Sequence, residues 1–168
     1  MQYAWTCSCC GKQFDTLPLD FGASAPDYWF KIPPEERAER AFLNADFCTI
    51  DSEHHFIRGC LEVPIIGHHE TLVFGAWVSL SEASMHRATE LWDAGVIEDE
   101  PPRFGWLSTN IKPYPRTLEL KTAVHFRPGK LRPLIELEPT DHPLAIDQRQ
   151  GISMDRVQEI VATLKHRH

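Results

Sequence analysis

The sequence predicts an α+β fold: a mainly antiparallel sheet of about five or six strands, two or three helices packed on it, and an N-terminal cysteine knuckle. Three observations carry that expectation. Two stretches of strict two-residue alternation, 56–66 and 117–127, belong to a run of strands that lacks the regular βαβ rhythm of a doubly wound parallel sheet. Two other stretches, after Ser81 and after Ser153, repeat apolar residues at helical spacing. Finally, 168 residues with 42% hydrophobic and 24% charged content can bury one core without staples. The organisation expected is a single domain over 1–168, with 1–33 as knuckle and proline-rich loop and 34–168 as the α+β core.

Taken in order, Gln2–Thr6 reads as a short edge strand and Cys7–Gly11 as a tight turn. From Leu17 to Pro34 the chain reads as loop, because Pro18, Gly22, Pro26, Pro33 and Pro34 punctuate it; Tyr28, Trp29 and Phe30 would anchor it. Pro34 fits the first turn of a helix over PEERAERAFL, with Glu35 and Glu36 at the favourable end of its dipole. A short strand is expected over 46–51. Within 56–66, Ile57, Leu61, Val63 and Ile65 share one face, and Arg58, Cys60 and Glu62 the other.

Gly67-His68-His69 then turns the chain into a strand over 72–80, which makes a hairpin. That strand feeds a helix capped either by Ser79, whose spacing to Glu82 is that of a capping box, or by Ser81. Met85, Ala88, Trp92 and Val96 form the helix's apolar stripe, and Gly95 helps to end it. A strand over 104–111 and a turn at Pro113 and Pro115 follow. Over 117–127, Leu118, Leu120, Val124 and Phe126 point one way, while Glu119, Lys121, His125 and Arg127 point the other, as in a sheet with one wet face. The stretch 134–138 continues the sheet. Ser153 caps a last helix whose stripe is Met154, Val157, Ile160, Val161 and Leu164, and the tail, Lys165–His168, is expected to fray.

The formal net charge of -7 argues against a non-specific grip on a nucleic-acid backbone, which takes clustered Lys and Arg. No apolar run approaches the ~20 residues of a membrane span, and the first residues lack the basic and apolar segments of a secretory leader. The five cysteines are therefore expected in a reducing cytoplasm, as thiols or metal ligands.

Cys7-x-x-Cys10-Gly11 has the shape of a zinc knuckle: two thiolates grip one tetrahedral ion while the glycine accommodates the turn. A closed site needs further ligands, for which Cys48, Cys60, His54 and His55 are candidates and Cys48, a lone thiol at a strand start, is preferred. The expected cofactor is structural zinc; the competing reading is reduced cysteines packed as small hydrophobes. A redox role is disfavoured because the motif precedes a proline-rich loop and not a helix.

A second candidate group lies late in the chain. His125 and Arg127 share the polar face of their strand, and Glu136, Asp141 and His142 sit in ELEPTDH between stiffening prolines. Carboxylates and imidazoles held together can bind a ligand or move protons, but turn hydrogen bonds by Thr140 and Asp141 explain the same residues. The pairs His54-His55 and His68-His69 make no chelate on a strand, where neighbours face opposite ways. Trp77, Trp92, Trp106, Phe74 and Phe104 read as core and sheet-face packing. No nucleophile elbow, H-E-x-x-H or glycine-rich phosphate loop is present. The function expected is that of a small acidic non-catalytic binding or regulatory protein, of the immunity type for instance, that docks a partner protein; the alternative is a metal-dependent hydrolase.

Several motifs, CSCCG, LPLDFGASAP, FCTID, WVSLSE, FGWLS, LKTAVHFRP, RPLIELEPTDHPLA and the closing GIS-x-x-RVQEI, resemble the bacterial family catalogued as domain of unknown function 2199. The resemblance spans nearly the whole chain. It implies no activity, and it carries Cys7, Cys10 and Cys48 over as ligands. Family members often place His where this chain has Phe14, so a metal site on the family's pattern would lack that ligand here.

Overall fold

The structure is a computed structural model that describes residues 4–95 and 99–166. The chain opens with β1 (Trp5–Thr6), β2 (Gln13–Phe14), β3 (Asp20–Gly22) and a short helix, α1 (Asp27–Phe30). A 3-10 turn over Pro34–Glu36 leads into α2 (Arg37–Arg40), then β4 (Ala41–Leu43) and β5 (Phe47–Ile50). The long hairpin is β6 (His54–Pro64) and β7 (Thr71–Leu80), after which come α3 (Glu82–Ala94), β8 (Arg103–Leu107), β9 (Lys121–His125) and β10 (Leu134–Leu137). Helices α4 (Pro143–Gln150) and α5 (Met154–Lys165) finish the described chain.

The class is α+β, but the expected mainly antiparallel sheet of five or six strands is corrected: five strands close into a barrel in the order β6-β7-β8-β9-β10 and back to β6. Four of its seams are antiparallel, and the closing seam between β10 and β6 is parallel, with Leu134 opposite Cys60. The physical reason is strand length. With 11 and 10 residues, β6 and β7 outrun any single neighbour. The free edge of β6 pairs β5 over His54–Ile57 and then receives β10 at Cys60; that of β7 pairs β3 over Val73–Gly75 and β8 at Val78 and Ser79. Alternation along a strand marks its two faces and says nothing of what its edges meet, so a barrel and an open sheet read alike.

The inward-facing residues follow the alternation. Ile57, Leu61 and Val63 on β6 lie opposite Val78, Phe74 and Leu72 on β7. Leu107, Val124 and Ile135 join them in the main core, to which the helices add Ala88, Leu144, Val157, Ile160 and Val161. A second cluster covers the outer face of the same hairpin. Trp77, wholly buried, packs there with Ile32, Cys48, Ile50 and Phe56 beneath Tyr28 and Trp29 of α1.

The closing seam depends on one glycine. A Cβ on Gly59 would stand 2.8 Å from the Pro133 carbonyl oxygen and 2.8 Å from Cγ1 of Ile135, beside the bond from the Cys60 amide to the Pro133 carbonyl (2.8 Å). Backbone cannot step aside as a side-chain tip can, so Gly59→Ala is expected to destabilise the fold by about 1–3 kcal/mol, read from the shift in its urea midpoint at unchanged slope.

Other expectations are corrected locally. The loop over 17–34 contains β3, a three-residue parallel strand recruited by β7, and α1, both too short to leave a periodic signature. The helix begun at Pro34 stops at Arg40, where Ala41 turns extended and pairs with Ile50. Ser81 caps α3, accepting from the Ser84 amide, while Ser79 is still strand, between Phe56 and Trp106. The strand over 117–127 shrinks to β9 because Glu119 takes φ 71 and Thr117 bonds to Thr109 and Ile111 instead of a neighbouring strand. Pro143, read as a proline that stiffens a loop, is the first residue of α4, a helix not foreseen from the sequence. Ser153 does cap α5. Gln2 and Tyr3 of the first strand, Val96 of the α3 stripe, and Arg167 and His168 of the tail lie outside the described residues.

Candidate functional site

Two places offer chemistry. The first is the knuckle. β1 and β2 pair Trp5 with Phe14 and Thr6 with Gln13, so the cysteines sit in the loop of a small hairpin. The Gly11 amide donates to the Cys7 carbonyl and the Cys7 amide to the Lys12 carbonyl, both at 2.9 Å, and Gly11 takes φ 71, the left-handed region that suits glycine.

The C-terminal helix arrives beside it. Trp5 stacks on Phe14 (5.3 Å between centroids), and the Lys165 ammonium rests 3.8 Å from the centre of the Phe14 ring. The next residue, His166, then reaches the knuckle: its Nε2 lies 3.0 Å from Cys7 Sγ. This corrects the expected fraying of Lys165 and His166. The ligand atoms of Cys7, Cys10 and His166 all fall within 4.8 Å of one another. A tetrahedral ion with Zn–S bonds of ~2.3 Å sets its sulfurs ~3.8 Å apart, so a small closure suffices.

The electrostatics favour a thiolate there. Burial by itself raises the Cys7 thiol, but the backbone amides of Cys10 and Cys9, the His166 side chain and the Cys10 side chain outweigh it and bring the thiol down from 9.0 to about 7. Two sulfurs and one imidazole are a soft donor set that suits zinc and leave a fourth position for another ligand. The group can hold a metal ion.

Cys48 is elsewhere. Its register opposite Phe56 puts it on the outer face of the hairpin, in the second apolar cluster and wholly buried, and it is not part of the Cys7, Cys10 and His166 group. Burial pushes its thiol up to about 11. Its folded value lies above its ordinary 9.0, so the neutral form is favoured, and stability tied to it is full below about pH 9 and declines as pH rises from 9 towards 11. Native alkylation at neutral pH is expected to label the exposed Cys9 and spare Cys48, as peptide mass spectrometry would show. Cys60 is half-buried, 3.9 Å from an Arg127 nitrogen, and burial raises its thiol too.

The late residues do not converge on one point. His125 Nε2 meets Glu136 Oε1 at 3.0 Å across neighbouring strands, on an exposed face. Arg127 donates from Nε to the Arg132 carbonyl (2.7 Å). His142 caps α4: its Nδ1 accepts from the Leu144 amide at 3.1 Å and its Nε2 lies 3.0 Å from the Arg116 carbonyl. Asp141 is exposed next to it.

The second place is a cleft of about 750 Å³, within the range of small-molecule sites. Its floor crosses four strands on the outer face, because Ile50 lies opposite His54, Phe56 opposite Ser79, and Ser79 opposite Trp106. At ~4.8 Å per strand that floor is ~14 Å wide. Tyr28 and Lys31 wall it on one side, Ser81 and Ser84 at the start of α3 on another.

At one end Phe104 and Trp106 meet edge to face, 5.0 Å apart, and stay 47% and 40% exposed. Packing therefore accounts for Trp77 and not for this pair. Tyr28 stacks on Phe56 (6.0 Å) and its hydroxyl donates to Glu119 Oε1. Burial and then the Glu119 carboxylate push that hydroxyl up to about 12, so it stays a donor. Sequence reasoning read Tyr28 as a loop anchor and Glu119 as strand, and did not single out Lys31. The one available signal was an unusually aromatic loop.

A family model described as an uncharacterized protein conserved in bacteria (DUF2199) matches residues 6–152. That span takes in Cys7, Cys10 and the whole lining of the cleft and ends before His166. No curated protein matches the chain, and no solved structure does.

Proposed function

We propose a binding role for this chain, which belongs to the DUF2199 family of uncharacterised bacterial proteins. Its ligand sits in the cleft between α1 and the start of α3. The observation that carries this reading is the pair of half-exposed rings, Phe104 and Trp106, inside a concavity of about 750 Å³. Large apolar side chains left in a concave, partly polar site mark a place that something else covers.

The cysteine cluster is given a different job. Cys7, Cys10 and His166 do not line the cleft, and they come from opposite ends of the chain. Zinc held by the three would staple the N-terminal hairpin to α5 and brace the core, as structural zinc does. A hydrolytic role would need the ion to face a substrate site; the separation of cluster and cleft favours the structural one.

A thermal-shift screen of the untagged chain against a library of small fragments tests the binding reading. Binding to the native state alone raises the melting temperature. At least one compound is expected to stabilise the wild type and to lose that effect in Trp106→Ala. A library without a stabilising compound, or compounds that stabilise Trp106→Ala equally, would overturn it.

A further inference from the structure

We propose that the outer face of the barrel carries a second site, apart from the cleft, where Arg58 and Arg127 bind the phosphate group of a small molecule. Neither arginine lines the cleft. The place is a handover on the free edge of β6. There β5 leaves at Phe47, opposite Ile57, and β10 arrives at Leu134, opposite Cys60. Arg58 stands between the two partners, on the same face as Cys60.

The Arg58 side chain crosses β7 and ends over β3. A Cβ on Gly75 would lie 3.5 Å from its Nη2, and one on Gly22 only 2.5 Å. These two glycines are register partners, and together they open the slot it lies in. Its Nε is buried and has no acceptor. Arg103 also buries a bare Nε, but its Nη2 has Glu100 at 3.6 Å. The whole Arg58 guanidinium, among the described residues, forms no hydrogen bond and no ion pair. A buried donor left unmade is costly and rare in native folds. Arg127 is partly bare too. Its Nε donates to the Arg132 carbonyl at 2.7 Å, while its Nη2 has only the Cys60 sulfur, at 3.9 Å. Cys60 lies opposite Gly75, which the Arg58 side chain crosses, so both arginines reach one patch.

The acids nearby do not supply the missing acceptor. Asp46 faces Arg132 at 2.9 Å and keeps its charge, so that pair is neutral. Asp20 on β3 and Glu62 on β6 match Arg58 and Arg127 in number, yet among the described residues neither forms an ion pair. At Arg58 itself burial, and then Arg132, outweigh Asp46 and Asp20 and hold its pKa below the ordinary arginine value. Net charge therefore does not name the ligand; the donors do. A guanidinium cannot accept, so its bare N–H groups call for oxygen acceptors, which a cation or an alkyl group lacks. A carboxylate fills one guanidinium fork. A tetrahedral phosphate has oxygens enough for two forks that arrive from different directions.

Isothermal titration of the untagged full chain with inorganic phosphate and with acetate, at one ionic strength set by sodium chloride, tests this. Phosphate is expected to bind saturably at one site and about tenfold or more tightly than acetate, the worth of one further charge-assisted contact. Arg58→Lys keeps the charge and removes the fork, and should weaken phosphate about tenfold or more. Arg127→Gln should bring phosphate down to the level of acetate. Arg127 lies beyond the end of β9, so this second variant leaves every strand pairing in place and decides the matter if the first does not fold. No saturable phosphate binding, acetate bound as tightly as phosphate, or phosphate affinity unchanged in Arg127→Gln or in folded Arg58→Lys would overturn the assignment.

Discussion

Trp77→Ala is expected to destabilise the protein by about 3–5 kcal/mol, the range for emptying a large aromatic side chain from a core. Trp77 is wholly buried, and its indole N–H donates to the Ala23 carbonyl at 2.9 Å. The substitution leaves a cavity and strands that carbonyl. It also undermines the cleft, because the cluster under Trp77 carries Tyr28 and Trp29 of α1. Chemical denaturation measures the first effect. The second appears as loss of ligand binding under conditions where the variant is still folded. A loss below about 1 kcal/mol would mean that the outer cluster is not a true second core.

Removal of a metal from the knuckle is the other large effect. If free zinc stands a thousandfold above its dissociation constant, chelation costs about 4 kcal/mol by mass action. Cys7→Ser should show the same loss without chelator, since it removes the buried thiolate that backbone amides already favour. The loss should be local before it is global. Amide exchange should accelerate first at the end of α5 and in β1 and β2, which a bound ion would tie together. The chain has to be untagged, because a polyhistidine tag would supply ligands of its own. Metal-free protein whose melting chelators leave unchanged would remove the clasp from the account.

Much of the fold was legible because burial writes itself into periodicity. Along most of their length β6 and β7 bury one side more deeply than the other, and that alternation marked both strands and the hairpin between them. Ser153 and the stripe of α5 were equally plain. Closure was not, because it depends on the edge partners of β6 and on room at Gly59, and neither leaves a pattern along the strand.

The site divides the same way. The turn chemistry of Cys7-x-x-Cys10-Gly11 is local, so spacing found two of the three ligand atoms. His166 comes from 156 residues beyond Cys10, brought in by helix docking and by Lys165 on the Phe14 ring. No rule of spacing reaches that far. Cys48 had the right chemistry, but its place opposite Phe56 turns it to the outer face. Trp106 and Phe104 carried the ambiguity of every aromatic residue: the same ring serves a core or a ligand, and only its neighbours decide.

A ligand bound in the cleft over the outer face of β6, β7 and β8 should be visible in the amide chemical shifts of the isotope-labelled full chain during titration with the best compound. The predicted result is a contiguous set of shifted resonances from Tyr28, Lys31, His54, Phe56, Phe104 and Trp106, with the knuckle unmoved. Shifts centred on Cys7, Cys10 and His166, or scattered away from the cleft, would contradict it.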